Sequence, residues 1–114
     1  MSSILKTKKG DIAVIDDIDM QIMNTSDFLD IMANAGARIL SFKKEHFHAD
    51  FYDLKTGIAG EILQKVSNYG IRMMIVGDFD NIEKKSLRDF IYESNRTGQI
   101  VFASDIESGI DLLR

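Results

Sequence analysis

Six consecutive residues, Ile71 to Val76 (I-R-M-M-I-V), do most to limit what this chain can fold into. A run that is apolar at nearly every position has no face to give to solvent. It suits a strand covered on both sides, a central one in a parallel sheet. Gly77 and Asp78 follow and turn the chain off the sheet. Parallel neighbours need crossover connections, which are usually helices, so this one run already asks for an α/β architecture.

The stretch before it supplies the clearest helix. Asp50 to Tyr69 (D-F-Y-D-L-K-T-G-I-A-G-E-I-L-Q-K-V-S-N-Y) joins an extended, aromatic-rich approach, Phe51 and Tyr52, to a helix through a bend carrying Asp53, Thr56, Gly57 and Gly60. From Ile58 the apolar positions are Ile58, Ala59, Ile62, Leu63 and Val66, one broad stripe at the helical period. Glu61, Gln64, Lys65 and Asn68 fall on the opposite side, and Gly70 closes the segment. Two glycines three apart let a backbone or a partner approach the first turn, where free amides favour an anion or a hydroxyl-borne phosphate.

The remaining elements follow in order. Ser3–Thr7, a K-K-G-D turn and Ile12–Ile15 predict a hairpin whose second strand is the better buried. An irregular connection then carries Asp16, Asp17 and Asp19, with Ile18, Met20, Ile22 and Met23 expected to pack on their own domain. A helix starts at Thr25 or Ser26, either able to cap it, with Phe28, Ile31, Met32 and Ala35 inward and Gly36 as its end. Arg38–Phe42 is a strand, followed by the polar K-K-E-H-F-H near solvent. Another helix turns Leu87, Phe90, Ile91 and Ser94 inward, with Ser86 as cap and Gly98 as stop. Ile100–Ala103 is a short strand, Ser104 and Glu107 have capping-box spacing, and Ile106, Gly109, Ile110 and Leu113 form the inner side of a last helix. The order β-β-α-β-α-β-α-β-α predicts a single α/β domain: a mixed sheet with an N-terminal hairpin and about four helices packed on it.

Bulk properties narrow the function classes. With 114 residues there is chain enough for one real core. A formal charge of −4 opposes non-specific attraction to nucleic acid or an anionic membrane, and neither is an expected partner. The absence of cysteine excludes thiol nucleophiles, disulfides and thiolate metal sites. No apolar run approaches a membrane span and no signal-peptide pattern opens the sequence, so a cytoplasmic protein is expected.

F-Y-D-L-K-T-G-I-A-G-E-I-L-Q-K, N-Y-G, V-G-D-F and S-L-R-D-F-I-Y-E-S-N together resemble an uncharacterised bacterial family, domain of unknown function 4180, from roughly the first strand to the C-terminus. That resemblance implies no established activity. A more distant likeness is to the STAS domains of anti-sigma factor antagonists, which carry a D-S-S-G-L pattern with a phosphorylatable serine at the start of the corresponding helix. Thr56-Gly57-Ile58 lies on its Ser-Gly-Leu positions. Lys55 stands where a second small hydroxyl residue would be, and Asp53 is one residue farther from the glycine. The resemblance implies a STAS-like layered fold and a regulatory hydroxyl at Thr56; fold analogy alone carries only an associational warrant for function.

From the residues alone, Thr56 reads first as a simple N-cap and only second as a regulatory hydroxyl. Asp50, Asp53, Asp78 and Asp80 are expected at the carboxyl rim of the sheet, where they could cap turns or form a ligand site. His46 and His48, two apart, would face one way on a strand but lack an evident third ligand, so no metal site is assigned. No G-x-G-x-x-G, P-loop or catalytic triad is present, and no cofactor or catalytic residue is assigned. Tyr92, Glu93 and Asn95 read as solvated helix surface. Two expectations follow. The first is a non-enzymatic regulatory or interaction domain, with a protein partner or self-association, using Asp53, Thr56, Gly57, Gly60, Glu61 and Gln64. The second is a small ligand-binding, metal-binding or enzymatic domain with an acidic site around Asp53 and Asp78.

Overall fold

A computed structural model describes residues 2–114. Strands β1 (Ser2–Thr7) and β2 (Gly10–Ile15) form the expected antiparallel hairpin. They are followed by α1 (Thr25–Ala33), β3 (Ile39–Lys43), a short α2 (Ala49–Tyr52), α3 (Ile58–Asn68) and β4 (Arg72–Val76). The chain ends with α4 (Lys85–Thr97), β5 (Ile100–Ala103) and α5 (Ile106–Leu112). The sheet order is β1-β2-β3-β4-β5, with every pair after the hairpin parallel.

That sequential order decides where the helices go. Crossovers between parallel strands are right-handed, so successive steps in one direction all pass over the same face. Phe28 of α1, with Ala59, Ile62 and Val66 of α3 and the half-buried Phe90 and Ile91 of α4, joins one core with Ala13, Leu40, Phe42, Met73, Ile75, Ile100 and Phe102. The alternate strand residues Ile12, Ile39, Met74 and Val101 point to the opposite face and meet Leu113, Ile106 and Ile110 around α5. Both faces of β4 are thus covered, which is why its sequence shows no alternation. α5 lies close to β4 because Gly109 has no side chain: a Cβ there would stand 2.7 Å from Sδ of Met74.

Several local expectations are corrected. The approach to α3 is helical rather than extended, since Phe51 and Tyr52 lie in α2. α1 is capped by Asn24, whose side chain accepts from the Asp27 N–H, not by Thr25 or Ser26. Ser86 lies inside α4, which starts from Lys84 without a side-chain cap. Asp105, not Ser104, caps α5 by accepting from the Ser108 N–H at 2.8 Å. In the 16–24 connection Ile22 is buried and Met20 half-buried, whereas Met23 is exposed and Ile18 is 87% exposed. No helix among the described residues is long and apolar enough to cross a membrane.

Candidate functional site

β3 runs into a 3-10 turn, Lys44–His46, that begins the path to α3. His46 is buried, not a solvent-facing strand residue. Its Nδ1 accepts from the Lys43 N–H at 2.9 Å, which puts the proton on Nε2, 2.9 Å from the Asp17 carbonyl oxygen. Burial holds the imidazole below its usual pKa, with Lys43 acting in the same direction and Glu45 and Asp16 against it. The His46 carbonyl accepts from Ile22 N–H, and His48 N–H donates to Ile22 O, so this turn fastens the 16–24 connection to the body. His48 does different work: its Nδ1 accepts from the Asp50 N–H and caps α2. Both ring nitrogens of His46 are already engaged, and the two imidazoles do not form a metal pair.

The bend itself is built on aromatic contacts. Phe42, Phe47, Phe51 and Tyr52 pack in succession with centroid separations of 5.2, 4.4 and 5.0 Å. Tyr52 then meets Phe79, which meets Phe102 of β5. The Tyr52 hydroxyl donates to Lys44 O at 2.8 Å, and burial pushes it well above the ordinary tyrosine range. Beyond Tyr52, Asp53 caps a second 3-10 turn, Leu54–Thr56, by accepting from the Lys55 N–H.

Thr56 closes this turn. Its Oγ1 lies 2.6 Å from Asp50 O and 2.9 Å from Asp53 O, with one proton to give, and it accepts from the Ile58 N–H at 3.3 Å. The N-cap residue of α3 is Gly57, at φ +80°, a conformation that favours glycine. The Thr56 hydroxyl therefore holds the turn shut and also bonds the first amide of the helix.

Outward from this corner, Thr56, Gly57, Gly60, Glu61 and Gln64 are exposed, while Asp53 is half-buried. Glu61 accepts from Thr25 Oγ1 at 2.8 Å, tying α3 to the start of α1, and Gln64 donates to Asn68 at 3.1 Å. A Cβ at Gly60 would meet nothing within 4 Å. The glycine spacing that suggested a close approach thus serves no contact inside the molecule.

The four rim aspartates divide. Asp78 and Asp80 line a shallow cavity of about 410 Å³ with Gly77, Phe79, Phe102, Ala103 and Ser104; Asp50 and Asp53 belong to the bend and do not line it. The Asp78 carboxylate accepts from the Asp80 N–H, and its backbone oxygen accepts from Nζ of Lys44, which also sits 4.9 Å over the Phe79 ring. Among the described residues, no three acidic or histidine side chains come together to hold a metal ion. The cavity has a topological distinction: β4 leads to α4 on one face of the sheet and β5 to α5 on the other, and such switch points are where open sheets bind ligands. The contributions of Phe102 and Ser104 were not legible beforehand, because only the pairing of β4 with β5 brings them beside Gly77–Asp80.

Asn95 also departs from its expected place on a solvated surface. Its carboxamide accepts from Phe102 N–H at 2.7 Å and donates to Phe102 O at 3.1 Å.

Fold and site together define a single α/β domain with a five-stranded mixed sheet and a glycine-bearing bend exposed at one helix start. The chain belongs to the family described as a domain of unknown function (DUF4180), which it matches over residues 7–113. No curated protein and no solved structure matches it.

Proposed function

We propose that this is a non-enzymatic cytoplasmic regulatory or protein-interaction domain, whose docking surface is the outward side of the Asp53–Gln64 bend and helix. The observation that carries the reading is Gly60. A glycine inside a helix costs about 0.5–1 kcal/mol relative to alanine, and here no internal packing requires it. What it leaves is a low, side-chain-free patch beside Gly57, bordered by Thr56, Glu61 and Gln64, where another protein's backbone can come close. The STAS resemblance supports a regulatory use of the same corner. A phosphate on Thr56 would remove the hydroxyl's bonds to the Asp50 and Asp53 carbonyls and add negative charge beside Asp53, altering the shape of the surface and making it more acidic. Glu61→Arg, which gives up only the exposed Thr25 bond, is expected to disturb association with little loss of folding stability, whereas Thr56→Glu is expected to disturb association and also to cost about 1 kcal/mol by removing the hydroxyl that holds the turn. A chain that sediments strictly as a monomer and recovers no partner from host extract counts against the reading.

A second reading rests on the switch-point cavity, where Asp78 and Asp80 face the carboxyl ends of β4 and β5. It takes a small polar ligand; a divalent cation would find only two carboxylates there among the described residues, one of them already accepting from a backbone amide. Calorimetric titration with Mg²⁺, Mn²⁺ and Ca²⁺ at millimolar concentration, repeated with Asp78→Asn, tests the cation form; heat lost in the variant supports it and no heat with the parent chain removes it.

A further inference from the structure

The two edges of the sheet are finished differently. β5 is four residues long and buried throughout, and the outward N–H and C=O of Phe102 are both taken by the Asn95 side chain. The carboxamide stands in for a neighbouring strand. β1 has no such cover: it pairs with β2 from Ser2 to Thr7 along one side only. On the other side alternate residues turn their backbone N–H and C=O groups to solvent, which makes a template for another strand. No proline lies in this strand and its register with β2 is unbroken, so neither of those usual guards protects the edge. Ile4 and Leu5 sit at its middle, one on each face, 49% and 40% exposed.

We propose that β1 is an interface with a second copy of this chain, the two β1 strands pairing antiparallel across a two-fold axis so that one sheet runs through both molecules. The edge calls for an extended strand, and antiparallel pairing about a two-fold is self-complementary and closed. Antiparallel partners keep residues of one face opposite each other. A register centred on Ile4 sets Ile4 against Ile4 and Leu5 against Ser3, and it keeps the two Lys6 ammoniums apart. The edge cations are balanced within the molecule, Lys6 by Asp11 at 4.0 Å and Lys8 by Asp111 at 2.9 Å. That leaves little charge to select an acidic peptide and little to repel a like copy. α3 packs over β4, so the proposal does not depend on the α3 surface.

Sedimentation equilibrium from about 5 to 500 µM, a range that reports micromolar dimers, tests it directly. The parent chain is expected to pass from monomer to dimer, and Ile4→Arg, which sets two guanidiniums at the axis, to weaken the dimer by roughly ten-fold or more. A parent chain that stays monomeric throughout overturns the proposal, as does a dimer that Ile4→Arg leaves intact. Hydrogen exchange on the parent chain supplies a reading independent of that variant's folding. Alternate β1 amides should slow as concentration rises while β5 amides do not, and uniform exchange at all concentrations counts against the interface.

Discussion

Replacing Gly60 by alanine separates a glycine that the fold needs from one that it does not. The new methyl group enters open space, with no heavy atom within 4 Å beyond its own helix. No contact is lost, and the helix gains the difference in propensity, about 0.5–1 kcal/mol. For 114 residues the unfolding entropy near the midpoint is about 0.24 kcal/mol/K, taking the typical per-residue value. The expected rise in melting temperature is therefore about 2–4 °C. Gly57, three residues away, supplies the contrast: it too has free space around it, but φ is +80°, so an alanine there is strained by about 1–2 kcal/mol and the midpoint falls. Differential scanning calorimetry of the two variants beside the parent chain measures both shifts. Destabilisation by Gly60→Ala would refute the reasoning, because it would mean that the position is enclosed by the molecule itself.

Gly109→Val should lower stability by about 2 kcal/mol or more, since the added carbon meets the fully buried Met74 side chain; urea denaturation checks it. Asn95→Ala strips the Phe102 backbone of both side-chain hydrogen bonds and should cost about 1–3 kcal/mol in the same assay. His46 gives a pH dependence of definite sign. Its folded pKa lies below the unfolded 6.5, so the unfolded chain takes up the proton first and the His46 contribution to stability falls as pH drops below 6.5, levelling off below the folded pKa. Denaturation midpoints between pH 7.5 and 5 should therefore decline less steeply in His46→Gln than in the parent chain.

The parts of this fold readable from sequence were those with a period or a punctuation mark. Ile71–Val76 announced a strand with two covered faces. The stripe from Ile58 to Val66 gave α3, and Gly70 and Gly98 marked the ends of α3 and α4, whereas α1 stops at Ala33, short of the expected Ala35 and Gly36. What escaped was shorter than a period or depended on distant residues. Four residues of α2 cannot display helical spacing, so Phe51 and Tyr52 read as extended. Caps were displaced by one residue at Asn24 and Asp105, where several neighbouring side chains could have served. His46 looked solvent-bound amid lysines and a glutamate, yet its ring is buried because Lys43 N–H and Asp17 O satisfy both nitrogens. Asn95 looked like surface because its partner, Phe102, is reached only once α4 lies beside β5. The bend's exposure was anticipated from the polar positions of α3, whereas the division of the four aspartates into two pairs needed the folded chain.

Recovery of associated proteins from host cells by tagged parent and Gly60→Arg chains tests the docking surface most directly. Arginine at position 60 adds bulk to the open patch without removing a contact, and its gain in helix propensity over glycine is roughly offset by a positive charge in the first turn of α3, so the variant should fold about as stably. Partner recovery should then collapse while the melting temperature holds. Equal recovery by both chains would show that nothing lands on this corner and would contradict the assignment.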